Sequence, residues 1–236
     1  MRRLILALQL MTSLPLPTVQ AEDTDFAAAI RWFPAAGIVV GGAAAAAMTL
    51  GLRVDPWAAA LLALLAWVAV TGALHLDGLG DIADAAGAAH GDRARLSMVL
   101  ADPHIGSFGV VALTLQLLAK LVLLHLWAEY LPAWGLIPLA LIARIGPLAW
   151  TLWLPPLHQG LASGFRNGIK PAHLIAWSAI ALAFCSILPL LACAALFIPL
   201  WAWWLRSRIG GISGDGHGAG IELVESALLA ALVLAQ

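Results

Sequence analysis

PWAAALLALLAWVAVTGAL, residues 56–74, is an apolar run, and HLDGLGDIADAAGAAHGDR, residues 75–93, follows it directly. The first stretch is long enough to cross a bilayer as a helix, since a crossing needs about 20 mostly apolar residues. The second stretch carries four aspartates, two histidines and an arginine. Acidic residues that abut a membrane-crossing segment are usually functional, so this junction is the first candidate site.

The composition of the whole chain agrees with a membrane protein. Of its 236 residues, 62% are hydrophobic and only 11% are charged, whereas soluble domains carry roughly 25% charged residues. The apolar segments are continuous runs of Ala and Leu, which argues against a β-barrel. We therefore predict an all-α, polytopic integral membrane helical bundle that forms a single domain over residues 1–236.

Apolar runs of sufficient length predict six to seven transmembrane helices. Pro189 lies near the middle of the long run 172–205, which predicts two helices joined by a tight turn, with one kinked helix as the alternative. Residues 1–17 predict an amphipathic or partly inserted N-terminal helix. The candidate crossings are about 35–52, 56–74, 106–127, 134–153, 173–188, 190–205 and 221–236.

The basic residues predict the orientation of the bundle. With seven crossings and a cytoplasmic N-terminus, only Arg53 falls outside, and Lys120 and Arg144 lie within helices. A bias of this kind is typical of cytoplasmic loops, so we expect a bacterial inner-membrane protein whose polar residues face the cytoplasm. The remaining nine basic residues fall inside: Arg2, Arg3, Arg31, Arg93, Arg95, Arg166, Lys170, Arg206 and Arg208.

Three aspartates of the acidic stretch have helical spacing. Asp77, Asp81 and Asp84 stand at i, i+4 and i+7, which places three carboxylates on one face of a helix. Their mutual repulsion is relieved by a divalent cation, and oxygen ligands suit Mg²⁺, Mn²⁺ or Ca²⁺. The pattern predicts a metal site, with Mg²⁺ favoured. The alternative is a solvated charged surface.

Three further polar clusters supply candidates. In ADPHIGSFG, residues 101–109, Gly106 and Ser107 predict open amides that could cradle a phosphate at a helix start, although Ser and Gly also serve there as simple caps. In GGISGDGHGAGIELVE, residues 210–225, Asp215 and His217 stand between glycines, which favours a binding loop over a plain bend. Arg166, in SGFRNGIK, could bind a phosphate or simply follow the positive-inside rule.

Other charged residues leave alternatives open. His75 could contact a phosphate, act as a general acid or base, or be structural, and Asp81 is a candidate catalytic residue as well as a metal ligand. Asp102, with Asp215, is a secondary candidate for a catalytic role at the metal or beside the nucleophile. Asp92 and Arg93 could form a surface ion pair or take part in function. Lys120 and Arg144 lie inside apolar helices, which favours a functional or a pairing role. Glu222 and Glu225 are expected at the membrane border.

Several motifs resemble one known family. H-L-D-G-L-x-D-x-A-D at His75–Asp84, G-x-F-G at Gly106–Gly109, F-P-x-x-G at Phe33–Gly37 and the late G-x-x-G-D-x-x-G-A…E-L-x-E at Gly211–Glu225 are similar to those of the cobalamin synthase family, in the same order and at the same spacing. Two segments depart from the family pattern. Ala101–Gly106 reads ADPHIG where the family commonly has Lys-Asp-Ser-Arg-Ile-Gly, and Asp84 is followed by Ala85 rather than Gly.

The resemblance implies an enzyme that joins adenosylcobinamide-GDP to α-ribazole or its 5′-phosphate. GMP would leave, adenosylcobalamin or its phosphate would form, and Mg²⁺ would be required. It also implies that Asp77, Asp81 and Asp84 hold the ion on the diphosphate of the substrate and that His75 acts on the ribazole. The oligomeric state stays open, with a homo-oligomer as one expectation.

Two other functions remain as alternatives. A CDP-alcohol phosphotransferase also uses aspartates at a membrane edge, but its usual Asp-Gly is followed by Ala-Arg, which this chain lacks. A divalent cation transporter would need acidic residues deep in several helices. Here the aspartates gather at one predicted edge, and no acid is expected at a helix midpoint.

Overall fold

The structure, a computed structural model, describes residues 1–89, 93–158 and 161–236, without the side chains of residues 89, 93, 94, 161 and 162. The prediction of an all-α membrane protein is confirmed. Most of the described chain is helical, and three short 3₁₀ segments connect some of the helices. The α-helices are α1 (Arg2–Met11), α2 (Asp23–Ala29), α3 (Phe33–Gly51), α4 (Pro56–Thr71), α5 (Leu74–Ala89), α6 (Arg93–Leu100), α7 (Ser107–Tyr130), α8 (Leu136–Ala143), α9 (Gly146–Trp153), α10 (Leu161–Gly168), α11 (Pro171–Cys185), α12 (Ala194–Arg208) and α13 (Gly214–Val233).

Five of the described helical segments are long and apolar enough to span a membrane, and α4 with α5 could make a sixth. The five are Asp23–Gly51, Ser107–Tyr130, Ala133–Trp153, Pro189–Arg208 and Gly214–Val233. The predicted crossing at 173–188 appears as α11, which is apolar but only 15 residues long. The described residues therefore give five or six candidate crossings, against the predicted six to seven.

The centre of the bundle is the segment made by α8 and α9. In the most apolar 18-residue stretch of this segment, 89% of the residues are buried within the protein. The corresponding share for α13 is 72%. Helices α7 and α12 are much more exposed and present their apolar side chains to the outside. The polar side chains inside the membrane-spanning region lie where α13 meets α7 and the α8–α9 segment.

The chain bends by 84° between α4 and α5. Gly72 has φ of 60° and Ala73 has φ of 58°, so both residues lie in the left-handed region that terminates a helix. The loop after α1 holds this corner, because the Ser13 hydroxyl donates to the carbonyl of Ala69 at 2.6 Å. The acidic stretch thus starts a new helix that runs at a steep angle to the crossing before it.

The run 172–205 forms two helices, as predicted. Helix α11 ends at Cys185, and Pro189 opens the short 3₁₀ segment that leads into α12. Proline is tolerated at this first position because the amide that it lacks would have no helical partner there. Helix α1 is amphipathic as predicted, with Leu6, Ala7 and Met11 buried and its two arginines exposed.

The last helix begins seven residues before the predicted start at 221. The glycine-rich segment, predicted as a bend or binding loop, is the first part of α13, and Ser213 caps it by accepting from the amide of Gly216 at 3.1 Å. Close packing explains the glycines. A Cβ on Gly218 would lie 3.1 Å from the Cα of His75, and one on Gly220 would collide with the ring of Trp150.

Candidate active site at the starts of helices 5, 7 and 13

Helix α5 carries the candidate residues of the acidic stretch in three different environments. Asp77 is exposed, Asp81 is half-buried, and Asp84 is buried with 7% of its surface accessible. His75 precedes them on the first turn and is buried at 3%. The helical spacing is as predicted, but the carboxylates do not share one environment.

Asp84 closes the start of α7. One of its oxygens accepts from the amide of Gly106 at 2.7 Å and the other accepts from the amide of Gly109 at 2.9 Å. A carboxylate at a helix N-terminus is favoured by the free amides and by the helix dipole. The amides of Gly106 and Gly109 are therefore not open, because Asp84 accepts from both, and phosphate binding at Gly106 stays a prediction. Both oxygens of Asp84 thus accept from α7, whereas Asp77 and Asp81 are more exposed, and the role of Asp84 as a metal ligand stays a prediction.

A fourth aspartate lies beside Asp77 and Asp81 instead. A Cβ on Gly78 would lie 2.8 Å from the backbone of Asp215, so α5 and α13 cross in close contact there. Small residues allow such an approach between membrane helices. The negative charges of Asp77, Asp215 and Asp84 all act on Asp81, and that of Asp84 acts least. We call Asp77, Asp81 and Asp215 the acidic cluster.

The segment before α13 is held by the loop that follows α9. The amide of Leu157 donates to the carbonyl of Ile212 at 2.9 Å, and the amide of Ile212 donates to the carbonyl of Pro155 at 2.9 Å. This pairing brings His158 within electrostatic reach of Asp215. Sequence reasoning placed His158 on the same side as the aspartates but did not select it, because no motif surrounds it.

Four charged side chains form a buried network next to the acidic cluster. We call Lys120, Arg144, Glu222 and Glu225 the ionic quartet. Lys120 Nζ lies 2.8 Å from Glu222 and 2.6 Å from Glu225, and Arg144 Nη1 lies 2.8 Å from the other oxygen of Glu225. All four are at most 2% exposed. Buried ions survive when they are paired and hydrogen-bonded, and the two cations here balance two anions.

The ionic quartet shows that the predicted place of the two glutamates is wrong and that Lys120 has a pairing role. Glu222 and Glu225 were predicted at the membrane border, but they lie buried along the middle of α13. Lys120 pairs with carboxylates, which was one of its two predicted roles. Arg144 sits at the break between α8 and α9, just before Gly146 and Pro147.

The two candidate histidines adjoin this interior. The Nη2 of Arg144 lies 3.5 Å from Nδ1 of His75, a long contact. His217 is 4% exposed, and its Nε2 lies 3.4 Å from the hydroxyl of Thr151. Gly218 packs against the backbone of His75, so both histidines belong to the same α5–α13 crossing.

Comparison with known proteins gives the family. The family model described as cobalamin-5-phosphate synthase matches residues 3–233. The chain belongs to the cobalamin-5-phosphate synthase family. The family resemblance that the motifs indicated is thereby confirmed, and the match disfavours the CDP-alcohol phosphotransferase alternative.

Curated relatives of this family match nearly the whole chain. A protein of Novosphingobium aromaticivorans is 53% identical over 99% of this chain and 97% of its own length, and one of Thiobacillus denitrificans is 49% identical over 97% and 94%. A protein of Pseudomonas aeruginosa is 36% identical over 99% and 98%. All three are named adenosylcobinamide-GDP ribazoletransferase. No solved structure gives a significant match to the chain.

The remaining site residues that the sequence predicted for this member of the cobalamin-5-phosphate synthase family are Asp102, Ser107 and Arg166. All three are exposed. Asp102 is exposed and accepts from the ring and the amide of His104 at 2.7 and 3.0 Å, and the hydrogen bond from the ring lowers the pKa of its carboxyl. Ser107 is the exposed first residue of α7. Arg166 is exposed and donates to the carbonyl of Leu154 at 3.1 Å. Their roles in binding stay predictions.

The acidic stretch also contains His90, Asp92 and Arg93. His90 and Asp92 lie outside the described residues, and so does the side chain of Arg93. The alternative of an Asp92–Arg93 ion pair therefore stays open.

Proposed function

We propose that this protein joins adenosylcobinamide-GDP to α-ribazole or its 5′-phosphate. A hydroxyl of the ribazole attacks the phosphorus that carries the cobinamide, GMP leaves, and adenosylcobalamin or its 5′-phosphate forms. The names of the curated relatives support this reaction. The observation that carries the proposal is the meeting of Asp77, Asp81 and Asp215 from two helices, because a diphosphate substrate needs its charge balanced at one place.

The donor chemistry of the acidic cluster fits Mg²⁺. In the described residues, no group of three or more His, Cys, Asp or Glu side chains is arranged to hold a metal by protein ligands alone. Mg²⁺ does not require such a cage, because it is usually bound by one or two carboxylates together with substrate phosphates and water. We assign the ion to Asp77 and Asp81, with Asp215 beside them. When bound, it would neutralise charge on the diphosphate as the bond to GMP breaks.

The residues around the cluster position these acids. Asp84 fixes the start of α7 against α5 through two backbone amides. Ser213 donates to Asp215 at 3.3 Å and accepts from the amide of Gly216, which holds the first turn of α13 in place. His75 is buried beside Arg144, and this placement favours a role in orienting the ribazole over proton transfer with solvent. A site held by several supporting contacts keeps its ligands in fixed geometry.

We propose that the acidic cluster faces the cytoplasm from the inner membrane. Support comes from the basic residues: if α11 also crosses, which gives seven crossings, and the N-terminus is cytoplasmic, nine of them fall on one side, namely Arg2, Arg3, Arg31, Arg93, Arg95, Arg166, Lys170, Arg206 and Arg208. Nucleotides and Mg²⁺ are available on that side.

A cation transporter is the weaker candidate. Glu222 and Glu225 are acids within a membrane-spanning helix, as a transporter would need. However, Lys120 and Arg144 already neutralise them, so these carboxylates do not offer an open path for a cation.

The test is release of GMP by the purified full chain in detergent, supplied with adenosylcobinamide-GDP, α-ribazole and Mg²⁺. We expect the complete corrinoid together with GMP. Asp81→Asn should reduce the rate by at least about 100-fold, as expected when a group that stabilises developing charge is removed. The matched control Asp23→Asn changes an exposed aspartate on α2 and should keep the wild-type rate. Normal turnover by Asp81→Asn, or no turnover by the wild-type protein, would contradict the proposal.

A further inference from the structure

A small cavity lies at the first turns of α5 and α13, the two helices that carry the acidic cluster. It has a volume of about 190 Å³ and is bordered by the end of α1, the start of α3, helix α10 and the first turns of α5 and α13. Met11, Phe33 and Phe165 give it apolar walls. The rings of the two phenylalanines meet edge to face, with centroids 5.4 Å apart and planes at 83°. Such walls suit a flat apolar guest.

Two histidines that line the cavity each keep one unpaired nitrogen. His75 Nε2 and His217 Nδ1 are buried, and neither has a hydrogen-bond partner within the described protein. The two side chains are only 3% and 4% exposed. Buried polar atoms are nearly always paired with protein or ordered water, so two unpaired nitrogens on residues that line one cavity mark a place where a ligand or a water supplies the partner.

The contact with Arg144 favours one of the two nitrogens of His75 as the carrier of the proton. A guanidinium has only donors, so Nδ1 of His75 must accept in the 3.5 Å contact. The proton of a neutral imidazole then resides on Nε2, the unpaired nitrogen. His75 therefore offers the cavity a hydrogen-bond donor, and a guest must offer an acceptor.

We propose that this cavity binds the heterocyclic base of the acceptor substrate, a flat, largely apolar bicycle whose free ring nitrogen accepts from His75 Nε2. The inference rests on the proposed function for the identity of that base, the dimethylated benzimidazole of α-ribazole. An apolar cavity of about 150 Å³ accepts a benzene ring, so about 190 Å³ leaves room for a somewhat larger ring system.

The place of the cavity fits this assignment. His75 and Gly214, which line it, stand within two residues of Asp77 and Asp215 in the chain. The proposal requires that a base held here direct its ribose past the first turns of α5 and α13 to the acidic cluster, where the attacking hydroxyl is needed. Holding two reactants in this way makes the reaction effectively unimolecular.

The experiment measures binding without turnover. Full-length protein in nanodiscs, without adenosylcobinamide-GDP and without metal, is titrated with α-ribazole and with its 5,6-dimethylindole analogue, in which C–H replaces the free ring nitrogen. We expect the wild-type protein to bind α-ribazole about 10-fold more tightly, the effect of one hydrogen bond to a buried donor. In His75→Leu the two ligands should bind equally.

A second variant tests the cavity without touching the histidines. A Cβ on Gly214 meets nothing within 4 Å, so Gly214→Leu fits the fold and fills space at the cavity. It should weaken binding of both ligands by at least about 10-fold. The matched control is Gly42→Leu, whose Cβ is equally free of contacts but lies on α3 away from the cavity, and it should bind as the wild type does.

The outcomes separate this inference from the proposed function. Wild-type affinity in Gly214→Leu, or equal affinity of the wild-type protein for the two ligands, overturns the inference even if GMP is released. The expected binding pattern without any release of GMP from adenosylcobinamide-GDP supports the cavity assignment and contradicts the proposed reaction.

Discussion

Glu225 offers the sharpest test of the buried charges. Its carboxylate is inaccessible and accepts from Arg144 Nη1 at 2.8 Å and from Lys120 Nζ at 2.6 Å. Glu225→Gln keeps the size of the side chain but leaves two buried cations with one buried anion, Glu222. Removing one partner of a buried ion pair costs about 3–5 kcal/mol, so we expect the free energy of unfolding to fall by about 4 kcal/mol.

A second substitution distinguishes charge balance from local damage. Lys120→Met alone should cost a similar amount, because it leaves one carboxylate in excess. If the two substitutions acted independently, the double variant would lose about 8 kcal/mol. Because it restores neutrality, we expect the double variant to lose no more than either single variant.

The measurement is unfolding by sodium dodecyl sulfate in dodecyl maltoside micelles, monitored by tryptophan fluorescence. The control Glu129→Gln changes a glutamate that is 36% exposed and 3.6 Å from His125, where a cost below about 1 kcal/mol is expected. A loss under about 1 kcal/mol in Glu225→Gln, or additive losses in the double variant, would refute the reasoning.

Two further predictions concern the helix starts. Asp84→Ala removes the acceptor for two amides at the start of α7 and should lower the free energy of unfolding by about 2 kcal/mol. The affinity of this variant for Mn²⁺, measured by electron paramagnetic resonance, should stay near that of the wild type. Asp81→Asn should instead lose Mn²⁺ binding without a loss of stability. The reverse pattern would show that Asp84 is the metal ligand. Gly78→Leu should lower both the melting temperature and GMP release, because its Cβ would lie 2.8 Å from the backbone of Asp215. Gly80→Ala is the milder comparison, since its Cβ meets only side chains at 3.4 Å or more, and equal damage in both variants would contradict this account.

Much of the fold is predictable because the bilayer imposes a simple rule. Every backbone group in the membrane must pair within a helix, so long apolar runs become helices and prolines or glycines mark their breaks. The two helices around Pro189 and the irregularity after Arg144 follow from this rule. The spacing of Asp77, Asp81 and Asp84 likewise identified a helix, α5.

The start of α13 was missed because its cause is tertiary. Local propensity assigns glycine-rich segments to loops. Here the glycines are helical because α13 must approach α5 and two tryptophan rings closely, as the positions of Gly218 and Gly220 show. Packing overrides propensity in this segment, and a single sequence does not reveal which surfaces will pack.

The sequence also did not predict which residues pair with the charged side chains. Asp84 looks equivalent to Asp81 along the helix, yet it faces the start of α7, some 22 residues later in the chain. Glu225 and Lys120 meet across 105 residues. The sequence indicated that such residues need partners, but only the arrangement of the helices decides which partners they find.

Helix α13 carries acidic residues of both the acidic cluster and the ionic quartet on one continuous helix. Asp215 stands in its first turn, and Glu222 and Glu225 lie two to three turns further along. An unbroken helix of 20 residues is about 30 Å long and stiff, so it moves as one piece. The salt bridges of Glu222 and Glu225 to Lys120 and Arg144 therefore fix the position of Asp215 along the helix axis, and any sliding of α13 would carry this aspartate by the same distance.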